Sequence, residues 1–271
     1  SGLYGGHKVR KLEFVLGAAR ERFGADGGPI VTGGAVGSHH VVGTLLHGAP
    51  LGMKIHAVLL GQPDTPRVRA HARITVAHAA SVTCLARKRH LPGALARLAW
   101  ELARDGGSPP VLVPVGGSSP AGVMGSVSLG LEIAEDVETG RMPRPDAIVV
   151  PLGTGGTAAG LWLGLRLAGL NSEVIAVRVG PVIFAHPMRL GTLAWKAAAL
   201  LPPSAVPLQF PPDGLRVVHH MAEPGYGRFH PIAETTAHRV AEAGGPALEQ
   251  TYSARAMTVA LDELKRGRAG P

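Results

Sequence analysis

A lysine near the start of the chain is placed where it could act as a nucleophile. Lys8 lies in the segment Gly5-Gly6-His7-Lys8-Val9-Arg10-Lys11, directly before a helix predicted to begin at about Val9. Lysine can form an imine with a carbonyl compound, whereas arginine, which outnumbers lysine 21 to six in this chain, cannot. Free N–H groups at the helix start would favour an anion and lower the lysine pKa. The alternative is a solvated basic turn.

A serine and two histidines follow a predicted strand in the glycine-rich segment 32–40. Ser38 is predicted to cap the next helix, and its hydroxyl, beside His39 and His40, could bind a carboxylate or assist a leaving group. Adjacent residues on a helix point about 100° apart, so the two imidazoles form a poor metal site. A helix cap without a catalytic role is the alternative.

A glycine loop joins the strand predicted at Ala147–Leu152 to a helix, with the sequence Gly153-Thr154-Gly155-Gly156-Thr157. Small residues let the backbone approach a ligand, and successive N–H groups with threonine hydroxyls can hold a phosphate. Gly153, Gly155 and Ala158 also match a dinucleotide fingerprint. The acidic residue of that fingerprint should follow the second strand, but Glu173 precedes it. The pattern therefore favours a phosphate site, and a nicotinamide-binding oxidoreductase is the alternative.

Two tyrosines lie in small-residue loops late in the chain. Tyr226 is in Pro224-Gly225-Tyr226-Gly227, and Tyr252 is in Thr251-Tyr252-Ser253-Ala254-Arg255. Their positions are typical of site residues, although burial of each ring in the core is the alternative.

The elements that would position these groups alternate between β-branched runs and longer helical stretches. Such alternation indicates an α/β fold with a mainly parallel sheet. The proline-rich segment Leu200–Gly214 is predicted to be a loop. The predicted strands are Ile30–Thr32, Lys54–Leu60, Val82–Leu85, Val111–Val115, Ala147–Leu152 and Glu173–Val179, and the predicted helices are Val41–His47, Thr65–Ala79, Pro92–Arg104, Ala121–Thr139 and Thr157–Ala168.

Composition excludes several classes of protein. The single cysteine, Cys84, excludes a disulfide framework and is expected to be buried in a strand. The net charge of +8 comes from scattered arginines without interleaved aromatic residues, so a nucleic-acid partner is not expected. With no leader and no apolar run of about 18 residues, a soluble, cytoplasmic protein without a membrane partner is predicted.

Together, in this order along the chain, the motifs resemble the D-cysteine desulfhydrase and 1-aminocyclopropane-1-carboxylate deaminase family of pyridoxal-phosphate (PLP) enzymes. The resemblance implies a tryptophan synthase β-like fold of type II, with two open, twisted, mainly parallel sheets flanked by helices. It implies a large PLP-binding domain formed by residues 1–22 and 116–271, a small domain formed by 23–115, and a homodimer. The strand and helix that usually precede the lysine motif are not found, so a truncated or shortened member is expected.

The same resemblance implies roles for the cofactor-binding residues. Lys8 would form the Schiff base with pyridoxal 5'-phosphate, and Lys11 would face the phosphate together with the loop 153–157. His39 occupies the place of an asparagine that binds the cofactor's 3-hydroxyl. Ser253 would be the partner of the pyridine nitrogen.

The remaining implied roles concern a small amino-acid substrate. Ser38 would hold the substrate carboxylate or act as a nucleophile, with His39 and His40 beside it, and Tyr226 and Tyr252 correspond to the two active-site tyrosines.

A neutral partner such as Ser253 leaves the pyridine nitrogen unprotonated and favours β-elimination from a D-cysteine-like amino acid, which yields pyruvate, ammonia and sulfide or another leaving group. Ring-opening deaminases typically have a glutamate there, so ring opening of 1-aminocyclopropane-1-carboxylate is one alternative. A non-catalytic PLP-binding relative is another, because His7 and His39 replace asparagines of the family pattern.

Overall fold

The protein was studied as a computed structural model that describes residues 4–24, 27–104, 108–202 and 212–267. Its internal contacts divide the chain into two compact units, Ser1–Gly125 (unit 1) and Ser126–Pro271 (unit 2). These bounds group residues 4–22 with unit 1. The proposed domain division, 1–22 with 116–271 against 23–115, is drawn from family resemblance and stays a prediction.

Unit 1 is a parallel four-stranded sheet with the strand order β3-β2-β1-β4. The inner strand β1 supplies the fully buried Ile30, against which the apolar face of the first helix packs through Leu12 and Leu16. The elements are α1 (Lys8–Phe23), β1 (Pro29–Ala35), α2 (His39–Gly48), β2 (Lys54–Leu60), α3 (Pro66–His78), β3 (Ser81–Leu85), α4 (Leu91–Arg104), β4 (Val111–Val113) and α5 (Pro120–Glu138), of which α5 contains the division between the units.

Unit 2 contains a second parallel sheet, with the strand order β5-β6-β7. The helix after the first of these strands is buried from Ala158 to Leu165, and Ile175 and Val177 fill the core of the sheet. The elements are β5 (Ala147–Leu152), α6 (Gly156–Leu167), β6 (Glu173–Arg178), α7 (Pro187–Ala198), β7 (Leu215–Val218), α8 (Pro231–Glu242) and α9 (Ser253–Lys265).

The structure confirms the predicted α/β class and the parallel pairing, and each predicted strand and helix is present within a few residues. The short strand β7 and the helices α7, α8 and α9 were not predicted. The expected burial of Cys84 is wrong, because β3 is an edge strand and the thiol is exposed there. Most of the predicted loop Leu200–Gly214 lies outside the described residues.

None of the helices in the described ranges combines the length and the hydrophobicity needed to cross a membrane.

Candidate active site

Lys8 is the first residue of α1 and is half-buried. Its Nζ donates a hydrogen bond to Nε2 of His7 at 3.2 Å. Burial lowers the pKa of Lys8 to about 8, because loss of water disfavours the charged amine. The neutral, nucleophilic form of this lysine is therefore more populated near neutral pH than that of an ordinary lysine.

Lys11 lies one turn further along α1 and is 2% exposed. Burial, followed by the positive charge of Lys8, lowers the pKa of Lys11 well below its usual value. No carboxylate forms an ion pair with either amine in the described part of the chain. Two neighbouring amines without a carboxylate are suited to an anionic ligand.

Ser38 caps α2 as the sequence predicts, since its Oγ accepts a hydrogen bond from the backbone N–H of Val41 at 3.4 Å. The side chain is buried at the point where β1 passes into α2. The cap fixes the start of the helix and therefore the directions of His39 and His40.

His40 is held as a neutral imidazole with one acceptor nitrogen left over. The hydroxyl of Thr32 donates to the carbonyl of Val113 at 3.0 Å, so it accepts from Nε2–H of His40, which lies 3.0 Å away. Burial, and then the charges of Lys8 and Lys11, lower the pKa of His40 to about 3. Its Nδ1 is buried and has no hydrogen-bond partner within the described ranges.

A second glycine loop, which sequence reasoning missed, lies against this histidine. Gly117 has a left-handed backbone with φ of 65°, and a Cβ there would lie 3.4 Å from Cε1 of His40 and 3.8 Å from Cβ of Lys11. The signal was available, because Gly116-Gly117-Ser118-Ser119 joins a strand to a helix as the predicted phosphate loop does. Lys8, Lys11, Ser38, His39 and His40 all belong to unit 1.

His39 lies in a cluster that includes two further residues not predicted from the sequence. The hydroxyl of Tyr4 is hydrogen-bonded to Nδ1 of His39 and lies 3.4 Å from Nε2 of His71 on α3. The two imidazole rings meet edge to face with centroids 4.7 Å apart. Tyr4, His39 and His71 are called the tyrosine–histidine cluster below.

The predicted phosphate loop is at the start of α6 in unit 2. Gly155 has φ of 92°, and a Cβ there would lie 2.4 Å from Cδ2 of Leu190. Nη1 of Arg189, a residue missed by sequence reasoning, donates to the carbonyl of Thr154 at 2.8 Å. The loop thus combines a helix N-terminus with a neighbouring cation, both of which favour a phosphate.

Tyr226 and Tyr252 are brought together, with their hydroxyl oxygens 2.6 Å apart and their rings edge to face. Burial raises the pKa of Tyr226 and, more strongly, that of Tyr252. Both therefore remain protonated at neutral pH. The ring of Tyr252 also reaches the phosphate loop, since a Cβ on Gly153 would lie 3.6 Å from its Cε1.

Ser253 is the first residue of α9, and its hydroxyl accepts from the backbone N–H of Glu249 at 2.8 Å. The carboxylate of Glu249 in turn accepts from the backbone N–H groups of Thr251 and Ser253 at 2.9 and 3.0 Å, and from that of Tyr252. The serine is therefore part of the turn that starts α9. Its role toward a pyridine nitrogen stays a prediction.

Arg255 joins the two tyrosine segments and was also missed. The side chain is fully buried, and its guanidinium donates hydrogen bonds only to main-chain carbonyls among the described contacts. These belong to Met221, Ala222, Gly225, Arg228 and Gln250, at 2.7, 3.3, 3.3, 2.9 and 3.3 Å. The loop that carries Tyr226 is thereby fixed to the helix that follows Tyr252.

Among the described residues, no group of three or more histidine, cysteine, aspartate or glutamate side chains could hold a metal ion. Residues 2–271 match the family model described as pyridoxal-phosphate dependent enzyme. The chain belongs to this family.

Similar proteins of the PLP family include enzymes of several activities. Nocardicin C-9' epimerase of Nocardia uniformis subsp. tsuyamanensis is 33% identical over 97% of this chain and 79% of its own length. D-cysteine desulfhydrase of Salmonella schwarzengrund (strain CVM19633) is 30% identical over 97% of this chain and 78% of its own. The crystal structure of an ACC deaminase homologue superposes with a TM-score of 0.80 at 28% identity, covering 98% of this chain and 77% of that chain.

This PLP enzyme therefore has the type II fold, and its residues fit the cofactor. Unit 1 offers an amine of lowered pKa at Lys8 and a buried acceptor, Nδ1 of His40, without a described partner. Unit 2 offers a glycine loop at a helix N-terminus, of the kind that holds phosphates. The amine of Lys8 suits the aldehyde of pyridoxal 5'-phosphate, and the glycine loop of unit 2 separately suits its phosphate.

Proposed function

We propose that this PLP enzyme catalyses β-elimination on a small, D-cysteine-like amino acid and releases pyruvate and ammonia. The observation that carries the proposal is the lowered pKa of Lys8 at the start of α1, beside a second buried amine and without a carboxylate partner in the described residues. Such a lysine is suited both to condense with an aldehyde and to accept a proton from carbon.

Pyridoxal phosphate supplies an aldehyde that condenses with amines and a conjugated ring that accepts the electron pair left when a proton leaves the carbon next to nitrogen. We assign the aldehyde to Lys8, and the phosphate to Lys11 and the loop 153–157. Ser38 and His40 bind the substrate, and Lys8 accepts the proton from Cα.

The neutral groups of unit 2 favour elimination over ring opening. Tyr226 and Tyr252 are held protonated, so either hydroxyl can donate to a departing β-substituent. Ser253 offers the pyridine nitrogen a neutral hydroxyl, which leaves the cofactor a weaker electron sink than a carboxylate partner would. Relatives named as desulfhydrase and as epimerase support a reaction that begins with removal of the Cα proton.

The first test is borohydride reduction of the PLP-loaded protein followed by peptide mass mapping. The pyridoxyl group is expected on Lys8, and in the Lys8→Ala variant the yellow absorbance sensitive to borohydride should be lost. Lys54→Ala is the matched control, because Lys54 is an exposed lysine at the start of β2. A label on Lys54 or Lys196 in the wild type would refute the assignment.

The second test compares substrates. D-cysteine, β-chloro-D-alanine and D-serine should give pyruvate, whereas 1-aminocyclopropane-1-carboxylate should give little 2-oxobutanoate. Absence of pyruvate from all three would contradict β-elimination. Preferential release of 2-oxobutanoate would establish the ring-opening alternative.

The family resemblance also supports a cytoplasmic homodimer. Light scattering of the PLP-loaded protein should give twice the chain mass of 27.9 kDa.

A further inference from the structure

Glu249, in the turn that leads into α9, is hydrogen-bonded to the two candidate site residues that follow it, Tyr252 and Ser253. We propose that Glu249 is a positioning residue for the β-elimination. It holds Tyr252 so that the hydroxyl of Tyr252 donates to that of Tyr226, and Tyr226 in turn donates a hydrogen bond to the leaving group of the substrate. The inference rests on the proposed function, because it assigns the donor of that reaction to one of the two tyrosines.

Glu249 binds the turn through both its side chain and its main chain. Its carboxylate accepts from three successive backbone N–H groups, those of Thr251, Tyr252 and Ser253. Its own N–H donates to the hydroxyl of Ser253 at 2.8 Å, and its carbonyl accepts from the N–H of Ala254 at 3.0 Å. A carboxylate is favourable at a helix N-terminus, because the N–H groups there carry positive partial charge. Glu249 therefore fixes the path of the chain through Tyr252.

The hydrogen bond between the two tyrosines has a preferred direction. Their hydroxyl oxygens lie 2.6 Å apart, so one hydroxyl donates and the other accepts. Burial raises the pKa of Tyr226, and the bond from Tyr252 partly lowers it again. Burial also raises the pKa of Tyr252, and the charge of an ionised Tyr226 and the same bond raise it further. Tyr252 therefore holds its hydrogen more firmly and is the donor to Tyr226.

Tyr226 is then the tyrosine with a hydrogen to offer. Its oxygen accepts from Tyr252, and its own hydrogen has no second acceptor among the described contacts. A hydrogen bond to the leaving oxygen or sulfur stabilises the negative charge that develops as the bond to Cβ breaks. The proton itself stays on Tyr226, in agreement with the raised pKa. Chloride accepts such a bond weakly and leaves readily without it.

The charge of Glu249 acts on both tyrosines. After burial and the interaction between the hydroxyls, it is the remaining cause that raises the pKa of each one. The other charged side chains near the two tyrosine segments and the loop 153–157 are Arg189, Glu223, Arg228 and Arg255. Arg189 and Arg255 donate to main-chain carbonyls. Of these charges, that of Glu249 is the one that raises both pKa values.

The direction of the hydrogen bond is measured with a fluorinated tyrosine, which ionises at lower pH than tyrosine and is placed at position 226 or at position 252. 19F NMR of the PLP-loaded enzyme reports the pH at which this one residue ionises. Tyr4, in the tyrosine–histidine cluster, stays an ordinary tyrosine in both samples. The fluorinated residue should ionise at lower pH at position 226 than at position 252. The reverse order would overturn the proposed direction.

The role of Glu249 is tested in the same two samples. Glu249→Gln keeps an oxygen for the backbone N–H groups but removes the charge, so the fluorinated residue should ionise at lower pH at both positions. Glu242→Gln makes the same chemical change at the exposed end of α8 and should leave both values unchanged. Equal values in wild type and Glu249→Gln would overturn the placement of this charge beside the pair.

Turnover tests the donor through the leaving group. The ratio of kcat/KM for D-serine to kcat/KM for β-chloro-D-alanine should fall at least about tenfold in Tyr226→Phe, in line with loss of a donor to a developing charge. It should fall less in Tyr252→Phe, which keeps the donor and loses its support. Glu249→Ala should also lower the ratio, and Glu249→Gln should restore most of it, because an amide oxygen still holds the turn. A larger fall in Tyr252→Phe than in Tyr226→Phe would overturn the assignment.

The outcomes separate this inference from the proposed function. Pyruvate from both substrates at a ratio unaffected by Tyr226→Phe would overturn the role of Tyr226 and leave β-elimination intact. Absence of pyruvate from both substrates would refute the proposed function, while 19F NMR would still decide the direction of the hydrogen bond. If Glu249→Ala does not fold, the comparison of positions 226 and 252 in the otherwise unchanged enzyme remains decisive.

Discussion

The candidate site residues of the two units have opposite kinds of chemistry. Unit 1 presents titratable nitrogens whose proton affinity is reduced, since burial lowers the pKa of Lys8, Lys11 and His40. Unit 2 presents backbone amides and hydroxyls that keep their protons, since burial raises the pKa of Tyr226 and Tyr252. The same loss of water thus prepares bases in one unit and donors in the other. We infer that unit 1 supplies the groups that move protons and that unit 2 supplies groups that bind and orient the ligand.

The largest effect is expected from Lys8→Ala in unit 1. Removing the amine should lower pyruvate formation by at least about 10³-fold, as expected when a general base and nucleophile is lost. Initial rates with β-chloro-D-alanine measure this effect. The thermal stability of the PLP-free protein should change little. A residual rate within tenfold of the wild type would show that the proton-moving group lies elsewhere.

In unit 2, the main effect of Arg255→Met should be a loss of stability, with no direct effect on the reacting groups. Loss of the guanidinium leaves buried carbonyls of the Tyr226 loop without donors, at a cost of about 3 kcal/mol or more in the free energy of unfolding. Urea unfolding measures this loss, and hydrogen exchange should show faster opening of residues 221–228. Arg239→Met is the control, since this arginine lies on the exposed surface of α8. Equal losses of stability in the two variants would refute the role of the Arg255 hydrogen bonds in holding the Tyr226 loop.

Gly155→Ala tests the binding role of unit 2 more locally. The new Cβ would meet Leu190 at 2.4 Å on a backbone with φ of 92°. Strain of about 1–2 kcal/mol should raise the dissociation constant for PLP roughly tenfold or more. Gly169→Ala is a matched control, because Gly169 has φ of 74° but no atom near its Cβ position. Fluorescence titration with PLP measures the affinity of each variant. Equal affinities would contradict steric crowding at Gly155.

The smallest effect is expected for the contribution of Lys8 to the pH dependence of stability in the protein without PLP. Its pKa is about 8 when folded, against 10.5 for an ordinary lysine. Between these values the unfolded chain holds a proton that the folded chain has released, so stability should rise with pH across this range. Urea unfolding at pH 7.5 and 9.5 should show a larger rise for the wild type than for Lys8→Met. An equal rise in the free energy of unfolding for the two proteins would show that folding does not lower the pKa of Lys8.

The features that could be predicted from the sequence are local ones, formed by residues that follow one another in the chain. Strand, glycine and helix follow one another at Ser38 and at Gly153–Thr157, so their local structure could be predicted, as could the cap. The missed groups depend on contacts between distant positions, such as Tyr4 with His71 or Arg255 with Met221. Nothing in the residues around His71 indicates that a hydroxyl 67 positions away will meet it.

The missed elements have a similar explanation. The strand β7 has only four residues, Leu215–Val218, and follows a proline-rich segment that obscures its start. Helix α8 is rich in alanine and polar residues, with only Ala233 and Thr236 buried, so its apolar stripe is too narrow to stand out. Both are stabilised by tertiary packing more than by local preference.

Arg255, through its hydrogen bonds to main-chain carbonyls, also bears on how this enzyme could acquire new substrates. Every carbonyl that it binds belongs to the main chain, which each residue provides whatever its side chain. The loop around Tyr226 can therefore exchange side chains while its path is retained. Randomising residues 228 and 229 in a library that keeps Arg255 and also Gly227, whose φ is 71°, is a direct route to variants with altered substrate preference.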